Sequence, residues 1–231
     1  MTRRVIRGSV GPICAVLAVL ALSAAFAGCG DDEGDTRTGT ATTGGVDADA
    51  IAFYDWEPNV IGPDGRPEPR NRVVTQTALP NRAAADKLAA RVPGAIVVED
   101  EEPTSGVKAK GGWFVLTGKP ALTGADIARV EMSAVQGSAA PAVTISLTPE
   151  GRERFKAVSR EIAQRGAGNA RPGAPPTEAF GHFAVVVDGR IVTRPFIDFQ
   201  QNPDGFDAAN GLQIQGQTVE ETEDLVRRLQ R

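Results

Sequence analysis

Histidine occurs once in these 231 residues, as His182, while cysteine and methionine occur twice each. That scarcity removes whole classes of chemistry. A His/Cys metal centre needs more ligands than this chain holds, and a Ser-His-Asp triad would have to join His182 to one of several ordinary serines with no G-x-S-x-G elbow present. Aromatic residues make up only 5% of the chain. Beyond residue 28 no apolar run is long enough to span a bilayer, and no carboxylate or arginine sits inside a membrane segment where it could carry protons. What is plentiful is glycine, at 26, and proline, at 16, which point to turns and irregular stretches around one or two small domains.

The N-terminus has a different character. Arg3, Arg4 and Arg7 form a positive segment, and residues 13 to 26 form an apolar one of secretory-signal length. It ends in AFAGC, and the small residues Ala27 and Gly28 before Cys29 resemble a bacterial lipoprotein signal. That resemblance implies cleavage after residue 28 and acylation of Cys29; the alternative is an uncleaved membrane anchor over residues 10 to 28. Cys14 would leave with the signal, so Cys29 has no thiol to pair with, and its use is attachment. More than one acyl chain is what stable anchoring requires. The expected location is the extracytoplasmic face of a membrane.

Loss of the signal takes three arginines and no acid, moving the formal charge from −4 to about −7. That balance argues against a nucleic-acid partner. Residues 29 to 50, nearly all Gly, Thr and Asp after the cysteine, cannot bury enough surface to offset their ordering entropy and read as a flexible tether.

The folded part is expected from residue 51, as an N-terminal α+β part over 51–114 and a second over 115–231. IAFYDWEPNV reads as a strand and RVVTQTALP as a short second one. Asn81 caps a helix with Ala85, Leu88, Ala89 and Val92 on one stripe, stopped at Gly94. AIVVED and WFVLT are strand candidates, and the acidic run from Glu99 to Glu102 reads as a solvated strand edge rather than a cation site, because consecutive acids in a strand face opposite ways. Thr123 and Asp126 have capping-box spacing. RVEMSAV and AVTISLT read as antiparallel strands, and Thr148 caps a helix with Phe155, Val158 and Ile162 buried. Residues 166 to 179 read as a Pro/Gly surface loop. In AVVVDGRIVT, Asp188-Gly189 suits a two-residue hairpin turn, and Val185, Val186 and Val187, apolar on both faces, mark a central strand. GLQIQGQ is a strand, followed by a helix boxed by Thr218 and Glu221 with Val219, Thr222, Leu225, Val226 and Leu229 inward. The fold class is α+β, an antiparallel or mixed sheet packed by helices.

Three segments in series, TPEGRERFKAVSREIAQRG, FAVVVDGRIVTRPFID and IQGQTVEETEDLVRRL, resemble the first periplasmic domain of SecD, a subunit of the bacterial protein-export translocase. The family pattern is a T-x-x-G-x-x-x-F helix, a hairpin of the form lDg-v-s-P-i, and a closing strand and helix. WFVLTGKPALTGADI resembles its approach to the head subdomain, and IAFYDWEPN resembles an earlier strand more weakly. The resemblance implies a ferredoxin-like, SecD-head-like fold without catalysis or cofactor. It also implies a partner among secreted polypeptides or Sec translocase subunits, reached through the hairpin tip at Asp188, Gly189 and Arg190 and the loop at Asn169 and Arg171. In SecD the closing helix leads on to membrane helices; here the sequence stops at Arg231.

A second reading of the same residues is an envelope lipoprotein that binds or hydrolyses a ligand such as carbohydrate and shares only the fold. Asp55 and Glu57 on either side of Trp56 are its most tempting acids. Trp113 and Phe114 are read as core or core-edge.

Overall fold

A computed structural model describes residues 50–62, 64–67, 78–100, 112–135, 141–215 and 218–230. In chain order these form β1 (Ile51–Asp55), α1 (Trp56–Asn59), α2 (Arg82–Ala89), β2 (Ile96–Asp100), β3 (Trp113–Leu116), β4 (Leu122–Thr123), β5 (Ile127–Ser133), β6 (Ala142–Leu147), α3 (Pro149–Asn169), β7 (Gly181–Val187), β8 (Arg190–Thr193), β9 (Phe196–Ile197), β10 (Leu212–Gln215) and α4 (Val219–Leu229). Cys29, the signal segment, the tether and most of RVVTQTALP lie outside the described residues.

The α+β expectation holds, with a division that the sequence reading did not make. Among the described residues the strands separate into a mixed seven-stranded sheet, ordered β3-β2-β8-β7-β1-β4 with β9 beside β7, and an antiparallel three-stranded sheet, β10-β6-β5. Strands β1 and β2, from 51–114, are hydrogen-bonded to β7 and β8, from 115–231.

Strand β7 is central, as its run of valines implies. Val185 and Val187 face one apolar cluster, shared with Phe53 of β1, Ile145 of β6, Phe155 and Ile162 of α3, and Leu229 of α4. Val186 and Ala184 face a second, with Trp56, Val98, Phe114, Leu116 and Ile191. A strand whose successive side chains point to opposite faces can be apolar throughout only if both faces are covered. The turn after it has the geometry its sequence demands, with Asp188 at φ 50 and Gly189 at φ 73.

The caps form as read. Asn81 Oδ1 accepts from Ala84 N, Thr148 Oγ1 from Gly151 N, and Thr123 and Thr218 close capping boxes with Asp126 and Glu221. Gly151 has a further reason to be glycine: a Cβ there would lie 2.3 Å from the Asp126 carbonyl oxygen, so the first turn of α3 rests directly on the preceding backbone.

Four local readings need correction. The strand expected over IAFYDWEPNV ends at Asp55 and gives way to the single turn of α1, because Pro58 has no N–H to continue a ladder and fits a helical first turn. The loop expected from residue 166 begins only after Asn169: α3 runs on through Gly166, which is buried where a Cβ would come within 2.8 Å of the Ala179 carbonyl oxygen. A glycine needed for close approach was read as a breaker. Val219, expected inward, is 47% exposed at the first position of α4, while Thr222 and Leu229 carry the buried face.

The fourth concerns the acidic run. Asp100 is buried rather than solvated, and Arg194 Nη2 meets its Oδ2 at 3.0 Å, with the guanidinium over the rings of Trp56 and Phe114 at 5.2 and 5.4 Å. Alternation along β2 turns Asp100 to the same side as Val98, into the second cluster.

Candidate functional site

Two polar constellations stand out, at opposite ends of β7. At its start, β1 runs into α1 and presents Asp55 and Glu57 to α3. Arg165 Nη1 donates to Asp55 Oδ2 at 2.9 Å while Nη2 donates to Asp55 Oδ1, and Nη2 also reaches Glu57 Oε2 at 3.2 Å. Glu57, 1% exposed, accepts the His182 backbone N–H at 2.9 and 3.1 Å and faces His182 Nδ1 at 2.8 Å. One guanidinium and one imidazole thereby hold both acids and tie α1, α3 and β7 together.

Burial raises the Asp55 carboxyl above its ordinary value, against the hydrogen bond and charge of Arg165. For Arg165, burial opposes the charge, but the hydrogen bond and charge of Asp55, joined by Glu57, outweigh it and its pKa is raised. A carboxyl with a raised folded pKa holds its proton at pH values where the unfolded chain has lost it. Its contribution to stability is therefore full below the model-peptide value of 3.8 and is lost as pH rises through the folded pKa. Carbon-detected NMR titration of the Asp55 carboxyl is expected to place its midpoint above 3.8, and a midpoint at or below that value would contradict this balance.

The sequence reading singled out Asp55 and Glu57 but not Arg165, and for His182 it only argued against a catalytic triad. A signal for Arg165 existed. It falls three residues after buried Ile162, on the inward stripe of α3. Its partners lie 110 and 108 positions away, and no local pattern could have named them.

At the other end of β7 lies the hairpin tip. Asp188, Gly189 and Arg190 line a cleft of about 300 Å³ with Arg82, Val97, Glu99 and Trp113. The Arg82 guanidinium lies over the Trp113 ring, 5.4 Å from its centroid, within cation–π range. The tip is anchored from both sides. Arg228 of α4 reaches Asp188 Oδ2 at 3.2 Å and the Val187 carbonyl at 2.9 Å, Arg190 lies 3.7 Å from Glu99, and the Gly189 carbonyl accepts from Glu99 N. Asn169 and Arg171 sit elsewhere, at the exposed C-terminal end of α3, beside the start of β7. Seven strand residues, about 20 Å, separate the two groups, so they do not form one surface.

A family model described as "SecDF, P1 head subdomain" matches residues 97–231, more than half of the chain. The chain belongs to that family. The matched region of this SecDF P1 head begins within β2 and includes α3, the β7–β8 hairpin and the closing β10–α4 unit. Two solved structures are also similar. One, described as "Crystal structure of SecDF in Super-membrane-facing form", matches at 22% identity and a TM-score of 0.39 over 80% of this chain and 19% of that one. The other, "Structure and function of a membrane component SecDF that enhances protein export", matches at 23% identity and a TM-score of 0.38 over 80% of this chain and 63% of that one. This chain thus spans less than two thirds of either. No curated protein sequence matches it. Among the described residues of this P1 head, no helix is long and apolar enough to cross a membrane.

Proposed function

We propose that this P1 head is a non-catalytic module, displayed on the extracytoplasmic face of a membrane by acylated Cys29, that assists Sec-dependent protein export by binding the secreted polypeptide or a translocase subunit. The observation that carries this reading is the family match over residues 97–231. The hairpin-tip cleft supports it: an indole floor, two arginines and two acids at a strand end suit a passing polypeptide, which needs contact surface and no reacting group. The competing hydrolytic reading is weakened by the geometry at Asp55 and Glu57, whose oxygens are engaged by Arg165 and His182.

Because the two candidate surfaces lie at opposite ends of β7, in-cell photo-crosslinking can separate them. A photo-crosslinker at Arg190 is expected to capture nascent secreted chains or translocase subunits, identified by mass spectrometry, whereas one at Asn169 reports on the α3 end independently. Capture of cell-wall enzymes from both positions, or of nothing, would overturn the export reading.

A further inference from the structure

Three consecutive side chains at the end of α4 lie across the seam between the two sheets. Arg228 turns to the large sheet, where Nε meets Asp188 Oδ2 at 3.2 Å and Nη2 donates to the Val187 carbonyl at 2.9 Å. Gln230 turns to the small sheet, where Nε2 donates to the Val130 carbonyl of β5 at 3.0 Å. Leu229 between them is fully buried, in the cluster that takes Ile51 and Val187 from the large sheet and Val130 and Ile145 from the small one.

The rest of α4 holds on lightly. Of its eleven residues only Thr222 and Leu229 are buried, with Leu225 and Val226 packed at the margin and Val219 exposed at the start. A segment with few buried apolar residues opens at a lower free energy than the core beneath it. Much of the grip of α4 therefore lies in its last turn, and that turn also holds the hairpin tip. The cleft is lined by the tip on one side and by α2, β2 and β3 on the other, so its width follows the seating of the tip. On the β2 side the seat is a single backbone bond, Glu99 N–H to the Gly189 carbonyl at 3.1 Å, and the looser Arg190–Glu99 pair.

We propose that the end of α4 is a strap that seats the hairpin tip, with Arg228 as its positioning residue, so that displacing α4 from the small sheet also reshapes the cleft. This rests on the contact role proposed for the cleft and adds its control: by linkage, a polypeptide that binds the seated cleft also holds α4 down. An exposed ion pair would be too weak for such coupling, but the Arg228 side chain is only 13% exposed. Its planar fork engages a side chain and a main-chain carbonyl of adjacent residues, which fixes the direction of the tip as well as its distance.

The test follows single amides of the full chain by hydrogen exchange. The Glu99 N–H reports the seating of the tip, and the Trp113 N–H, bonded to the Leu79 carbonyl, reports the fold around it. Arg228→Met is expected to speed exchange at Glu99 about tenfold and leave Trp113 unchanged, with Arg228→Lys recovering part of the protection. Gln230→Ala touches no cleft residue, yet it frees α4 from the small sheet and is expected to speed Glu99 about threefold. Asp188→Asn tolerates the same positive φ and weakens the same contact, so combining it with Arg228→Met is expected to match Arg228→Met alone rather than multiply the two effects. With the photo-crosslinker at Arg190, Arg228→Met is expected to lower polypeptide capture about fivefold. The proposal is overturned if either Arg228→Met or Gln230→Ala leaves Glu99 exchange unmoved, if Trp113 quickens in step with Glu99, or if capture persists at the parent's level in Arg228→Met. Exchange that responds as expected in a protein whose Arg190 crosslinker captures nothing would support the strap and overturn the export reading instead.

Discussion

Arg165→Met is expected to lower the stability of the fold by about 3 kcal/mol in a urea or guanidinium titration, near the lower end of the range for removing one member of a buried charge group. The substitution keeps most of the stem's apolar volume and deletes the guanidinium. Two carboxylates then remain, Asp55 with a side chain 12% exposed and Glu57 at 2%, without their shared cation. Glu57 keeps the His182 backbone N–H, so the damage falls chiefly on Asp55, which burial already disfavours in its charged form. The lower figure is chosen because the Arg165 side chain is 27% exposed, and water can reach the site once it is gone. The triple variant Asp55→Asn/Glu57→Gln/Arg165→Met removes the uncompensated charges together and is expected to recover much of the loss. If the triple variant is no more stable than the single, the penalty lies in lost hydrogen bonds and packing rather than in stranded charge.

Phe155→Ala is expected to cost more, about 3–5 kcal/mol. Its ring is 1% exposed and stands edge-on to three others, Phe53 at 6.4 Å, Phe183 at 5.3 Å and Phe206 at 6.2 Å. Those rings come from β1, β7 and the segment before β10, so truncation opens a cavity where α3, the large sheet and the C-terminal segment meet. Rigid β-strands on one side leave little room for collapse, which puts the site toward the expensive end. Phe155→Leu retains most of the volume and is expected to lose roughly half as much or less. Against a total stability of the order of 5–15 kcal/mol, the alanine variant should show a clear shift in denaturation midpoint with little change in slope. A loss under about 1 kcal/mol would mean that the aromatic cluster is not the centre of the fold.

Local order was largely legible because it is written in short-range chemistry. Asn81, Thr148 and Thr218 cap because their oxygens reach backbone N–H groups three residues on, and Asp188-Gly189 turns because both residues accept positive φ. Two of the failures share one cause. Gly166 and Asp100 were judged by their own propensities, as breaker and solvated acid, whereas a carbonyl at Ala179 and a guanidinium at Arg194, distant in sequence, decide their environments. The Asp188-Gly189 turn forms as read, but Asn169 and Arg171 were grouped with it, and the length of β7 separates them.

By itself, then, the sequence determined most of the element types, most of the caps, the central place of β7 and the family resemblance, because periodicity and capping act within a few residues. Tertiary structure decided the rest: the division into two sheets and the capture of Asp55 and Glu57 by Arg165 and His182. Each of these depends on which side of a sheet or helix a residue meets a partner tens of positions away, and buried charges must find such partners wherever the chain brings them.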